Sequence, residues 1–80
     1  MLSYYIKMNT NIGPILQGIV VKNIKNINGT YDGILQTTNG NKYYYFNLNN
    51  CLNNGSYYYF NMATTNKDFI DFEAVNIKNI

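Results

Sequence analysis

Tyrosine and lysine are the side chains whose type and spacing can do chemistry in this sequence. Tyr43-Tyr44-Tyr45-Phe46-Asn47-Leu48 recurs fourteen residues later as Tyr57-Tyr58-Tyr59-Phe60-Asn61-Met62. A tyrosine offers a π face for stacking and a hydroxyl that both donates and accepts hydrogen bonds. Lys22, Lys25 and Lys42 fall in the stretch that leads into the first of these runs. Aromatic faces and cations together are what a single-stranded nucleic acid requires, because bases stack on rings while ammonium groups follow the phosphates. Tyr31, Tyr43, Tyr45, Tyr57 and Tyr59 are therefore candidate stacking residues, and Lys22, Lys25 and Lys42 candidate phosphate contacts. The same tyrosines also suit a structural role as cross-strand pairs, each stabilising a sheet by some tenths of a kcal/mol.

Other chemistries are excluded by what is missing. With no histidine and one cysteine, Cys51, the chain can assemble neither a Cys/His zinc site nor an imidazole-dependent triad. A single cysteine makes no internal disulfide, which fits a reducing, cytoplasmic compartment. Asp68, Asp71 and Glu73 crowd one stretch, but no motif accompanies them and they read as a solvated turn and strand edge. Cys51 lies in a polar loop without adjacent cations and reads as an inert thiol. The glycines do not form a phosphate-cradling loop that opens a helix. No catalytic residue, metal or cofactor is expected. Met1 to Lys7 lack a basic leader followed by a long apolar run, and no stretch approaches eighteen apolar residues, so neither a signal peptide nor a membrane span is expected. The formal charge of +2 is compatible with an anionic partner. All of its basic side chains are lysines, which supply point charges rather than the bidentate, stacking geometry of arginine.

These residues must be positioned by strands. Eighty residues make one small domain. Asn, Ile, Tyr, Lys and Phe, all of which A and T alone can encode, make up 45 of the 80, a bias that fits an AT-rich genome. The β-branched run Ile15 to Ile24 follows the Gly13-Pro14 breaker and predicts a first strand. Tyr31 to Thr37 predicts a second, and Asn39-Gly40 is a strong hairpin signal leading into a third over Lys42 to Leu48. Asn49 to Gly55 is a polar loop, Ser56 to Ala63 a fourth strand, Thr65 to Lys67 a turn and Ile70 to Ile77 a fifth strand. Residues 1–13 read as an N-terminal extension and 14–80 as the domain. Strand side chains alternate in direction. Tyr44, Phe46 and Leu48 are expected to face the core, as are Tyr58, Phe60 and Met62. Tyr43, Tyr45, Tyr57 and Tyr59 are expected to face outward. Five short strands predict an all-β fold, a small five-stranded antiparallel barrel with Val20, Leu35, Phe46, Phe60 and Val75 buried; closure removes the edges of a tyrosine-rich sheet.

The order of residues resembles the cold-shock domain version of the OB-fold. The match runs through Gly18-Ile19-Val20, Tyr31-Asp32-Gly33-Ile34-Leu35 and Tyr45-Phe46-Asn47-Leu48. It continues through Gly55 and Tyr59-Phe60 to Ala74-Val75-Asn76-Ile77, covering about residues 15–78. Asp32 and Ile34 stand where the family carries stacking aromatics, Tyr45 keeps an aromatic, Asn47 replaces a histidine and Leu48 a phenylalanine. The resemblance implies a non-enzymatic single-stranded RNA- or DNA-binding module. The implied surface comprises Lys22, Lys25, Tyr31, Ile34, Lys42, Tyr43, Tyr45 and Asn47. The alternative is an OB-fold module that meets a protein partner, for instance as a small subunit of a larger assembly.

Overall fold

The computed structural model describes residues 11–64 and 72–80, and the strand propensity read above is realised throughout them: five strands and no helix. The strands are β1 (Asn11–Lys25), β2 (Tyr31–Gln36), β3 (Lys42–Leu48), β4 (Tyr57–Thr64) and β5 (Phe72–Asn79). They close into a barrel in the order β1-β2-β3-β5-β4. The result is an all-β barrel consistent with a small OB-fold. β1, at 15 residues, is long enough to pair β4 through its first half and β2 through its second. All junctions are antiparallel except β3–β5, which is parallel. No helix among the described residues is long and apolar enough to cross a membrane.

The turn chemistry works as the sequence suggests. Gly40 takes φ 92°, which the Asn39-Gly40 pair supplies at little steric cost, and its N–H closes the turn on the Thr37 carbonyl. β1 starts earlier than Gly13-Pro14 suggests, because Pro14 falls within a register shift between Ile12 and Ile15, where a missing N–H breaks no ladder bond. Residues 1–10, the turn expected at 65–67 and the expected start of the fifth strand at 70–71 lie outside the described residues.

Besides the shift at Pro14, strict alternation fails at three further bulges, and each failure redirects side chains. On β1 the register shifts between Val20 and Lys22. On β3, Tyr31 pairs Leu48 but Gly33 pairs Tyr45, so the extra residue falls on β3 beside Asn47. On β5, Tyr59 pairs Lys78 but Asn61 pairs Val75, so the extra residue falls beside Asn76. Asn47 and Asn76 both adopt φ 54°, a left-handed conformation asparagine tolerates.

Val20, Leu35, Tyr43, Tyr45, Leu52, Tyr58, Phe60 and Ala74 form the core, with Leu16, Leu48, Met62 and Ile77 packed against it. The expectations for Val20, Leu35 and Phe60 hold, and Tyr57 and Tyr59 face outward as expected. The expectations for β3 and for Val75 are corrected. Tyr44, Phe46 and Val75 are only half-buried, and Tyr43, Tyr45 and Ala74 occupy the interior instead. The bulges reconcile the pattern: past Asn47 and Asn76 the chain skips one step of the alternation, so Leu48 and Ile77 return to the core although Phe46 and Val75 face outward.

Truncating the fully buried Phe60 to Ala should therefore cost about 3–5 kcal/mol. Phe46→Ala, at the half-buried outer position, should cost distinctly less. Urea denaturation midpoints of the two variants measure the difference, and equal losses would place Phe46 in the core after all.

Candidate nucleic-acid interface

The outer face of β1–β2–β3 is built row by row from the ladders. Lys22 pairs Ile34, which pairs Tyr44, and Ile24 pairs Asp32 in the next row. A shallow, mostly apolar groove is lined by Lys22, Ile24, Asp32, Ile34, Tyr44 and Phe46. Lys42, exposed at the start of β3, shares the direction of Tyr44 by alternation and pairs Gln36. Lys25 is exposed at the end of β1 and lines a separate hollow with Asn26, Asp32 and Asn47. Tyr31 is half-buried opposite Leu48.

The expected tyrosines on β3 point the other way. Tyr45 is 1% and Tyr43 6% exposed, so neither ring presents a face to a ligand. Tyr43 packs in a tilted arrangement on Phe60, centroids 5.3 Å apart, and on Phe72 at 5.9 Å. The Tyr45 hydroxyl donates to Asn23 Oδ1 at 2.7 Å, with the Lys22 carbonyl also at 3.3 Å. What admits the ring is Gly33, its cross-strand neighbour. A β-carbon there would lie 2.2 Å from both the Tyr45 hydroxyl oxygen and the Lys22 carbonyl. Burial, followed by the nearby negative ends of Cys51, Tyr58 and Asp32, pushes the Tyr45 phenol from the ordinary 10.0 up to about 12.

Asn47 is exposed, but its groups are engaged locally. Its N–H donates to Asp32 Oδ1 at 2.9 Å, and its Oδ1 accepts from Thr30 Oγ1 at 3.3 Å. Asp32 Oδ1 also accepts from Asn26 Nδ2 at 2.9 Å, so this carboxylate ties the β1–β2 turn to the β3 bulge. Lys22, Ile34 and Lys42 thus share one outer face, whereas Tyr43 and Tyr45 contribute no ring to it and Asn47 lines the separate hollow beside Lys25. Sequence reasoning missed Tyr44 and Phe46, which supply its aromatic surface. The signal available for them was Gly33, the small residue opposite which a large ring fits inward.

A second outward surface lies across the first half of β1, β4 and β5. Ile15 (70% exposed), Tyr57 (45%) and Tyr59 (42%) point out there, with Lys78 paired to Tyr59. Among the described residues no group of three His, Cys, Asp or Glu is placed to hold a metal. Of the acidic stretch noted in the sequence, Asp68 and Asp71 lie outside the described residues, and Glu73 pairs Tyr44 across the β3–β5 junction. Comparison with known proteins finds no matching family model, no matching curated protein and no matching solved structure.

The raised phenol makes a pH prediction with a definite sign. The folded state holds the Tyr45 proton above the pH at which the unfolded chain releases it. Its contribution to stability is complete below pH 10 and is lost as pH rises toward about 12. Ultraviolet titration of the folded protein should show a phenol ionising near pH 12 that disappears in Tyr45→Phe. Ionisation of Tyr45 at its ordinary value would mean that its hydroxyl reaches solvent.

Proposed function

We propose that this protein is a non-enzymatic module of cold-shock type that binds single-stranded RNA or DNA on the outer face of β1–β2–β3. The observation that carries the reading is the placement of Tyr44 and Phe46, half-buried and turned outward beside Ile34, with Lys22 in the same groove. The Tyr44 ring beside this apolar strip offers a stacking face, and stacking contributes roughly 1–3 kcal/mol per base. Lys22, Lys42 and, at the edge, Lys25 can follow the phosphates. Asp32 and Glu73 border the same face and oppose a polyanion, so the affinity is modest, on the order of micromolar. The β-barrel and the cold-shock resemblance in Gly18-Ile19-Val20 and Gly33 support the same reading. A cytoplasmic location belongs to the proposal, because the lone thiol forms no internal disulfide.

A second reading has its own observation behind it. Ile15, Tyr57 and Tyr59 form an exposed, weakly charged surface on the opposite flank, and tyrosine is enriched where proteins meet. In that reading the barrel docks to a protein through this flank.

Fluorescence anisotropy with labelled single strands separates the two. Tyr44→Ala should weaken binding by about 1–3 kcal/mol while the fold survives. Tyr59→Ala should leave binding unchanged. With at most three lysine contacts, the slope of log affinity against log salt should be about −2. Absence of binding at low salt would leave the protein-docking reading in possession of the field.

A further inference from the structure

We infer that the cleft between β3 and β5 receives a base of the bound strand and reads its edge. This rests on the nucleic-acid reading above and adds to it a site that selects among bases. The cleft originates in the one parallel junction of the barrel. β3 and β5 register at a single pair, Tyr44 with Glu73. Three residues further along each strand stand Asn47 and Asn76, both at φ 54°. A parallel ladder needs both partners extended, so two left-handed residues at the same distance past the registered pair end it and let the strands diverge. The opening is a cleft of about 620 Å³ between Leu48–Asn53 on one side and Ile77–Asn79 on the other, with Tyr58 also in its lining. That volume falls within the usual range of small-molecule sites.

The lining suits a nucleobase in three respects. Leu48 and Ile77, both half-buried, offer the apolar part of the lining. The walls carry the amides of Asn49, Asn50, Asn53 and Asn79, each of which presents a donor and an acceptor as a base edge does. Lys78 stands at the same rim and adds a positive charge to it. The asparagines of the fold differ in how their side chains are used. Those of Asn23, Asn26, Asn28, Asn39, Asn47, Asn61 and Asn76 are tied into hydrogen bonds within the protein. The four cleft asparagines, all solvent-exposed, have no such bond among the described residues, as Asn41 and Asn54 outside the cleft also do not.

The wall is also preorganised. Asn23 Nδ2 donates to the Leu52 carbonyl at 2.8 Å and to Cys51 Sγ at 3.0 Å, and the Asn53 N–H donates to the Tyr58 hydroxyl at 2.9 Å. A loop already held in place loses less entropy when a ligand arrives. Position completes the argument. Asn49 is three residues beyond Phe46, at most about 10 Å along the chain. A strand stacked on Tyr44 and Phe46 and running along β3 therefore brings a neighbouring base to the cleft mouth.

Cys51 is the only cysteine in the chain; it is exposed and lines this cleft, so its alkylation reports occupancy directly. The wild-type protein is treated with iodoacetamide in the presence of short single-stranded homopolymers of each base, DNA and RNA, with binding followed in parallel by anisotropy. At a strand concentration about ten times Kd, alkylation should slow about tenfold for the preferred base. The variant Asn50→Ala/Asn53→Ala should lose its discrimination among homopolymers, by about two- to tenfold, and keep the wild-type salt slope. Strands that saturate the protein in a Tyr44-dependent manner while Cys51 reacts at its free rate would overturn the cleft and leave the face intact. Discrimination that survives in the double variant would overturn it equally. If no strand binds at low salt, the cleft falls together with the reading it rests on.

Discussion

A tyrosine ring inside a barrel this narrow needs space for its six-membered ring and a partner for its hydroxyl, and the rest of the structure follows from how Tyr45 obtains both. Gly33 gives up the volume a side chain would fill, and Asn23 accepts the hydroxyl proton at 2.7 Å. Because a buried hydroxyl without a partner costs about 1–3 kcal/mol, this arrangement is available only when β1, β2 and β3 are mutually in register. Asn23 extends the linkage with its other side-chain atom, holding Leu52 and Cys51 of the loop that follows β3. One phenol thereby couples three strands to the loop at the base of the barrel.

The outer face of β1–β2–β3 is the reverse side of the same choice. With Tyr43 and Tyr45 inward, alternation turns Tyr44 and Phe46 outward, and the adjacent outward positions on β1 and β2 are Lys22, Ile24, Asp32 and Ile34. The left-handed asparagines then set where this pattern stops. Asn47 returns Leu48 to the core, Asn76 returns Ile77, and together they open the junction between β3 and β5. Packing of the interior and shape of the exterior are in this sense one decision, made by Gly33, Asn47 and Asn76.

How much of this was legible in the sequence depends on which residues carried the signal. The strands, the Asn39-Gly40 turn and the all-β barrel were readable because β-branched runs and turn pairs act locally. Phe60 and Tyr58 were readable as core because β4 keeps its alternation to Met62. β3 carries nearly the same letters and was misread, because hydrophobicity ranks Phe46 and Leu48 above tyrosine and assigns both to one face. The bulge beside Asn47 separates them, and a left-handed asparagine leaves no mark in a hydrophobic pattern. The space opposite Gly33 is likewise a property of pairing, which appears only once β2 and β3 are aligned. Lys22, Ile34 and Lys42, expected on one surface, do share the outer face of β1–β2–β3. The two aromatic residues were missed by one step of the strand.

The most direct measurement follows the aromatic ring resonances of the protein by NMR while a short single-stranded oligonucleotide is titrated in at low salt. The rings of Tyr44 and Phe46 should shift together and saturably, with Tyr43 and Tyr45 changing little behind the barrel wall. Shifts confined to Tyr57 and Tyr59, or larger at Tyr45 than at Tyr44, would contradict the inward placement of Tyr45 as the origin of the binding face.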